Sequence, residues 1–268
     1  MINITGRYCY LSYQKFDLEG RRALVFGGAS GIGRSIALGL AEAGADVVPV
    51  SRRAEEVART AAEIRSLGRK SLEVTADVTQ RPQIQRAIDS MLKEMSRIDI
   101  LVNSAGVTKR VPSLEVDDET WERILDTNLK GTWLTCQMVG RVMKEQQYGR
   151  IVNIASIGSF LSLHEAAPYC ASKGGVAALT RCLGAEWTPY NIAVNAIAPG
   201  VFETPLNTKL IHEPRRKASI LSHTPMDRFG NLEEIKGVAI FLASEAASFL
   251  TGEIISVDGG FMAQGIGR

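Results

Sequence analysis

The segment Arg22–Gly33 reads RALVFGGASGIG, and Arg34–Ala43 continues it as RSIALGLAEA. Arg22–Phe26 is an apolar run of strand length, the pattern of a strand buried on both faces. Gly27, Gly31 and Gly33 then mark a turn, after which a helical pattern runs to Gly44, a residue suited to closing a helix. Strand, glycine turn and helix in that order begin a βαβ unit. A turn built of glycines lets backbone approach a pyrophosphate, and the helix N-terminus adds partial positive charge there.

Outward from this unit the alternation repeats. Further strands are predicted at Ala45–Val50, Leu72–Ala76, Ile98–Val102, Arg150–Ile154, Ile192–Ile197 and Glu253–Val257. Helices are predicted at Gln83–Met95 with Pro82 in its first turn, at Glu119–Gln146, at Tyr169–Glu186 ahead of Pro189, and at Glu233–Phe241. Strands alternating with long helices predict an α/β fold: a Rossmann-type, doubly wound, seven-stranded parallel sheet with helices on both faces. No repeat, low-complexity tract or linker interrupts it, so residues 17–268 read as a single domain behind an N-terminal extension, residues 1–16. The aromatics of that extension (Tyr8, Tyr10, Tyr13, Phe16) suit an arm on this subunit or a neighbour, and a frayed terminus equally. Pro49 lies inside the second strand, where it removes a ladder donor. A place near the strand's end or at an unpaired position is expected.

A second stretch carries the chemistry: Ser156–Lys173, SIGSFLSLHEAAPYCASK. With Tyr169 opening a helix, Lys173 lies one turn on and on the same face. A nearby ammonium favours the phenolate and lowers the phenol's pKa from its usual value near 10. Such a phenol can exchange a proton with a substrate oxygen, and Ser156 can hydrogen-bond that oxygen as charge develops. Cys170 points away on the helix and reads as a packing residue. Taken alone, a tyrosine and a lysine at this spacing are common on solvated faces; their company decides the matter.

That company, in chain order, is the GxxxGIG turn Gly27–Gly33, Asp77-Val78 at a strand end, Asn103-Ser104-Ala105-Gly106, Asn128, the set Ser156/Tyr169/Lys173, Pro199-Gly200 with Thr204, and Asp258-Gly259-Gly260. The chain resembles the short-chain dehydrogenase/reductase family across residues 17–262. The resemblance implies hydride exchange between a nicotinamide and a carbinol or carbonyl carbon. Tyr169 would be the general acid/base and Ser156 the group that polarises the carbonyl. Lys173 would hold the ribose hydroxyls and tune the phenol, and Asn128 would bind a water relaying protons from Lys173. It also implies a cofactor site of Gly27, Ser30, Gly31, Ile32 and Gly33 at the turn, and Ser51, Arg52 and Arg53 after the second strand. Asp77-Val78 would contact adenine, Asn103, Ala105 and Gly106 would flank the ribose, and Pro199, Gly200, Phe202 and Thr204 would hold the carboxamide end.

Where the family carries an acidic residue that accepts both ribose hydroxyls, this chain has Ser51 followed by Arg52 and Arg53. Loss of the carboxylate removes a repulsion, and a guanidinium fits a phosphate, so NADP(H) is favoured over NAD(H). The alternative is that both arginines are solvated helix-start residues. Two departures bear on the turn: the family's bracing threonine is Phe26, and its second asparagine is Ser104. The bracing hydroxyl bond cannot form, which puts turn rigidity in question.

Composition narrows the partners. The 268 residues carry a formal net charge of +2, and the densest basic spot is Arg215-Arg216-Lys217, too short for a nucleic-acid face. The 4 cysteines show no CxxC spacing, so free thiols and no metal site are expected. No apolar run is long enough for a membrane span and the start lacks a signal peptide's apolar region, which leaves Asn3-Ile4-Thr5 an idle sequon and the cytoplasm the default.

The substrate, a small carbonyl or alcohol, is expected between Leu161–Pro168 and a lid over residues 201–228, with His164, Glu203 and Asn207 as candidate contacts and His212 nearby. The stretches FETPLN (202–207) and TPMDRFGNLEE (224–234) resemble the branch that oxidises sugar acids and polyols, gluconate 5-dehydrogenase among them. Two readings compete: reduction of a 3-oxoacyl thioester, and a catalytically silent nucleotide-binding regulator. Relatives form tetramers, which implies a homotetramer through the helices bearing Trp133, Met138, Val142, Leu179 and Leu183.

Overall fold

Side chains along Arg22–Phe26 (β1) alternate between two cores, Leu24 and Phe26 entering one and Ala23 and Val25 the other. The computed structural model describes residues 13–204, 208–211 and 213–265. Its strands are β1, Asp46–Ser51 (β2), Val74–Thr75 (β3), Ile100–Asn103 (β4), Gly149–Ile154 (β5), Ile192–Pro199 (β6) and Ile254–Val257 (β7). They form one 7-stranded sheet in the order β3-β2-β1-β4-β5-β6-β7, each pairing parallel. The order reverses between β1 and β4, where such sheets open a crevice at their C-terminal ends.

One face of the sheet is covered by helices Arg81–Met95 (α3), Gly131–Gln146 (α5) and Ala167–Glu186 (α6), which contribute Ile88, Met91, Val139 and Leu183 to the first core. The other is covered by Gly31–Glu42 (α1) and Glu234–Ala243 (α9), with Ile36, Leu40, Ile235 and Leu242. The apolar run of each strand is thereby buried on both sides. α1 closes at Gly44 with φ of 111°, as its sequence suggested. Met138 and Leu183 are buried in this chain's own core, and Trp133, Val142 and Leu179 are partly buried against it.

Several elements differ from the sequence reading. The helix Ala54–Ser66 (α2) was not anticipated; Val57, Thr60, Ala61 and Ile64 form its buried stripe. The long helix expected at Glu119–Gln146 is instead Asp118–Leu125 (α4), a π-helical turn at Asp126–Lys130, and α5. A π-turn inside a helix commonly marks a functional site, and this one has Asn128 at its centre. Residues 201–228, read as a lid, contain the short helices Thr208–Ile211 (α7) and Pro214–Ser222 (α8).

Pro49 pairs opposite Val25 within β2, well inside the strand. Asp46 N–H donates toward β1 (to Arg21 O, 2.9 Å) and Val47 N–H toward the other side (to Lys70 O, 3.0 Å). Alternation places the missing Pro49 donor on that second side, where β3 pairs only from Val50–Val74 onward. The proline thus shortens β3 from the expected Leu72–Ala76.

Of the extension, Tyr13 meets Phe16 at 5.7 Å and Phe16 meets Phe241 of α9 at 6.2 Å, so this part lies on its own chain. Tyr8, Tyr10 and the Asn3 sequon lie outside the described residues.

Candidate active site

The turn after β1 is held by backbone. Gly27 has φ of 77°, and a Cβ there would overlap the Ala105 amide and lie 2.6 Å from the Ser104 carbonyl carbon. Gly27 N–H donates to Val50 O (2.8 Å), and Ser104 N–H donates to Phe26 O (2.8 Å). These bonds tie the turn to β2 and to the end of β4 without a threonine hydroxyl. Phe26 is 1% exposed and fills the core beneath. The question of turn rigidity is answered by close backbone contact in place of the side-chain brace.

From this turn a cleft of ≈ 420 Å³ runs along the C-terminal ends of the strands. Gly27, Ser30, Gly31, Ile32 and Gly33 line one part, with the α1 N-terminus among them. Ser51, Arg52, Arg53, Asp77 and Val78 line another. Arg53 Nη2 lies 3.2 Å from Ser30 Oγ and 2.6 Å from Glu56 Oε2, and Arg52 Nη1 lies 3.8 Å from Asp77 Oδ2. Both guanidinium groups keep most of their surface exposed at the cleft rim. Ala105, Gly106, Pro199, Gly200, Phe202 and Thr204 complete the walls, together with Ser156, Tyr169 and Lys173. A glycine cradle with no room for Cβ atoms, a helix N-terminus and two rim cations make a donor set that fits a dinucleotide phosphate chain.

The reactive set is assembled by three elements. Ser156 follows β5 and caps a short turn, its Oγ accepting from Gly158 N–H at 3.0 Å. Tyr169 and Lys173 share the first turns of α6, with Lys173 Nζ 5.9 Å from the phenol ring centroid. Lys173 is 5% exposed and donates to Ile154 O at 2.6 Å. Burial raises the phenol above its ordinary value, and a hydrogen bond with Ser156 pulls it partway back. The sequence reading expected the amine to lower the phenol; in this geometry burial is the largest influence, and the lowering comes from Ser156 rather than from Lys173.

Burial also lowers the Lys173 ammonium to about 8 from 10.5. The unfolded chain therefore binds more protons than the fold between pH 8 and 10.5, so the cost of burying the charge is complete below pH 8 and disappears as pH rises through that window. Relative to Lys173→Met, wild-type stability should improve by about 3 kcal/mol across it, measured from urea midpoints at pH 7 and 10.5. A stability difference that stays flat with pH would contradict the assignment.

Asn128 does not line the cleft. It is fully buried, with Oδ1 accepting from Val107 N–H (2.8 Å) and Nδ2 donating to Val107 O (2.9 Å) and to Ser172 Oγ (3.0 Å). Asn103, expected to flank the ribose, likewise does not line the cleft and is buried. Its Nδ2 donates to Asn153 Oδ1 (2.9 Å), its Oδ1 accepts from Thr135 (2.7 Å), and Asn153 continues to Thr180 (3.0 Å). Asn103 shares the parity of Leu101 and so faces α5; reading the alternation one residue further would have found this. Cys136 sits in the same network, its thiol pushed up to about 12 by burial.

His164 and Glu203 are exposed and do not line the cleft. Arg110 donates to His164 O at 2.8 Å, and Val111 N–H to Glu165 O at 2.9 Å, which ties the loop before α6 to the loop after β4. Asn207 and His212 lie outside the described residues. Wall residues missed in the sequence are Ala76, Val107, Thr127, Ile154 and Ala155. Most are small and apolar, so residue type gave no chemical signal; strand ends would have been the cue. No helix among the described residues is long and apolar enough to cross a membrane.

A family model described as enoyl-(acyl carrier protein) reductase matches residues 27–262. The 2-dehydro-3-deoxy-D-gluconate 5-dehydrogenase of Pseudoalteromonas atlantica is 40% identical over 250 residues, covering 93% of this chain and 98% of that protein. The 3-oxoacyl-(acyl-carrier-protein) reductase of Thermotoga maritima is 38% identical over 245 residues, covering 91% and 99%. A gluconate 5-dehydrogenase from Burkholderia cenocepacia, solved with NADP and tartrate, superposes with a TM-score of 0.91 at 39% identity, covering 94% and 99%.

Proposed function

Because this chain belongs to the short-chain dehydrogenase/reductase family of nicotinamide-dependent oxidoreductases, we propose that it is an NADP(H)-preferring enzyme acting on a small polyhydroxy substrate: a sugar, sugar acid or polyol. The observation that carries the reading is the meeting of Ser156, Tyr169 and Lys173 on the same cleft as the glycine turn. When bound, the dinucleotide supplies or accepts the hydride at its nicotinamide. Tyr169 gives its phenolic proton to the substrate oxygen in reduction and takes it in oxidation. Ser156, held by Gly158 N–H, offers a hydroxyl to that same oxygen. Lys173 keeps a cation beside the phenol and would hold the ribose hydroxyls. Asn128 has spent both amide hydrogens, so its part in a proton relay runs through the remaining Oδ1 lone pair. Oδ1 lies 3.3 Å, and Lys173 Nζ 3.8 Å, from one point, the Cβ position of Gly106.

The preference for NADP(H) is supported by Arg52 and Arg53 at the rim and by Ser51 in place of a carboxylate. Arg52→Asp, and separately Arg53→Ala, should each shift the NADP/NAD ratio of kcat/KM toward NAD by about 10- to 100-fold, the value of a lost charge-assisted hydrogen bond. A ratio unchanged in both variants would remove the role assigned to the arginines.

The thioester reductase is the second reading, favoured by the similarity to the Thermotoga protein. An acidic carrier needs a broad basic surface, and Arg215-Arg216-Lys217 in α8 is a narrow one. Nicotinamide absorbance against a panel of sugar acids, polyols and oxoacyl thioesters tests the choice. Turnover of thioesters alone would favour the second reading; tight nucleotide binding without any turnover would favour a silent regulator. The proposal includes a cytoplasmic homotetramer, with α5 and α6 as the candidate contact helices; light scattering reads the assembly.

A further inference from the structure

Ser172 does not line the cleft, yet it joins the Tyr169 backbone to the Asn128 side chain. It is fully buried in α6 between Tyr169 and Lys173. Its Oγ donates to Tyr169 O at 2.7 Å and accepts from Asn128 Nδ2 at 3.0 Å. The other Asn128 Nδ2 hydrogen and its Oδ1 are taken by the Val107 backbone, whose residue lines the cleft.

Hydrogen-bond polarity runs one way through this chain. Val107 presents an N–H and a C=O, so the Asn128 amide has one satisfactory orientation. That orientation leaves one buried N–H needing an acceptor. Ser172 can accept there because its single hydrogen is committed to the Tyr169 carbonyl. Reversing any link would set two donors or two acceptors face to face, at the cost of an unpaired buried polar group.

We infer that Ser172 is a positioning residue, a strut that fixes the first turn of α6, and with it the Tyr169 phenol, against the cleft wall at Gly106–Val107. The inference rests on the oxidoreductase reading above. The π-turn at Asp126–Lys130 belongs to the same device, since it carries Asn128 into line with both partners. Without Ser172, α6 keeps its backbone bonds but loses the side-chain link that sets its distance from Val107.

The test pairs turnover with a readout that needs none. In Ser172→Ala, kcat should fall about 10- to 100-fold with the nucleotide KM changed little, the effect of a misplaced general acid. Amide hydrogen exchange at Val107 should quicken by about 10-fold as the Asn128 clamp loosens. Ser172→Thr and Ser172→Val add the same bulk and differ in the hydroxyl, so Thr should retain the higher kcat. Ser172→Ala should add little to the loss in Asn128→Ala, since the two act as one unit. Equal kcat in the Thr and Val variants, unchanged Val107 exchange in Ser172→Ala, or full additivity with Asn128→Ala would overturn the strut. Wild-type protein that turns over no panel substrate sinks the functional reading instead, and Val107 exchange still tests the strut.

Discussion

Tyr169→Phe should lower kcat by about 10²- to 10⁴-fold, the usual worth of a positioned general acid/base. The substitution removes one oxygen and keeps the ring, so nucleotide binding, read by fluorescence titration, should hold within about twofold while turnover collapses. Burial holds the phenol above its ordinary value. Oxidation, which needs the phenolate, should therefore gain with rising pH in the wild type, and this gain should vanish in the variant. A Tyr169→Phe enzyme retaining a tenth or more of wild-type kcat would move the proton transfer to another group. Ser156 would be the next to test, since its hydroxyl shares a hydrogen bond with the phenol.

The second large effect is at the turn. Gly27→Ala forces an L-residue to φ of 77° and drives its methyl into the Ala105 backbone. The left-handed conformation costs about 1–2 kcal/mol and the overlap a further 1–3 kcal/mol or so. Because the opposing atoms are backbone at the end of β4, relief requires the turn and the Ser104–Gly106 wall to separate. Dinucleotide affinity should fall at least about 10-fold, since the phosphate cradle depends on that close approach. Gly68→Ala is the matched control: φ is 78°, but nothing lies within 4 Å of its Cβ position. It should pay the conformational cost with binding intact. Equal loss of affinity in both variants, or none in Gly27→Ala, would show that the cradle is not what binds.

Much of this molecule was legible from local pattern. Apolar runs separated by helical periods gave the parallel sheet because each strand, covered on both faces, must be apolar throughout. Gly27 and Gly44 announced their places because few other residues accept their backbone angles. The Ser156, Tyr169 and Lys173 set was readable because its chemistry is rare in that order and company. What local pattern missed has a common cause. The buried stripe of α2 mixes a threonine with small apolar residues, Val57, Thr60 and Ala61 among them, so it stood out little from its polar surroundings. Pro49 looked like a misfit until β3 was seen to pair only beyond it.

The sequence by itself determined which groups the protein brings to the strand ends, because turn glycines, strand apolarity and residue chemistry act over a few neighbouring residues. Tertiary structure alone decided which of those groups face the cleft. Asn103 turned into the α5 core, His164 stayed at the surface, and Asn128 was spent on Val107 and Ser172. Orientation, burial and hydrogen-bond partners depend on residues far apart in the chain, such as Asn128 and Ser172 or Gly27 and Ala105. The same holds for the phenol, which burial raises and a hydrogen bond with Ser156 partly lowers, a balance that exists only once α6 is packed against β5.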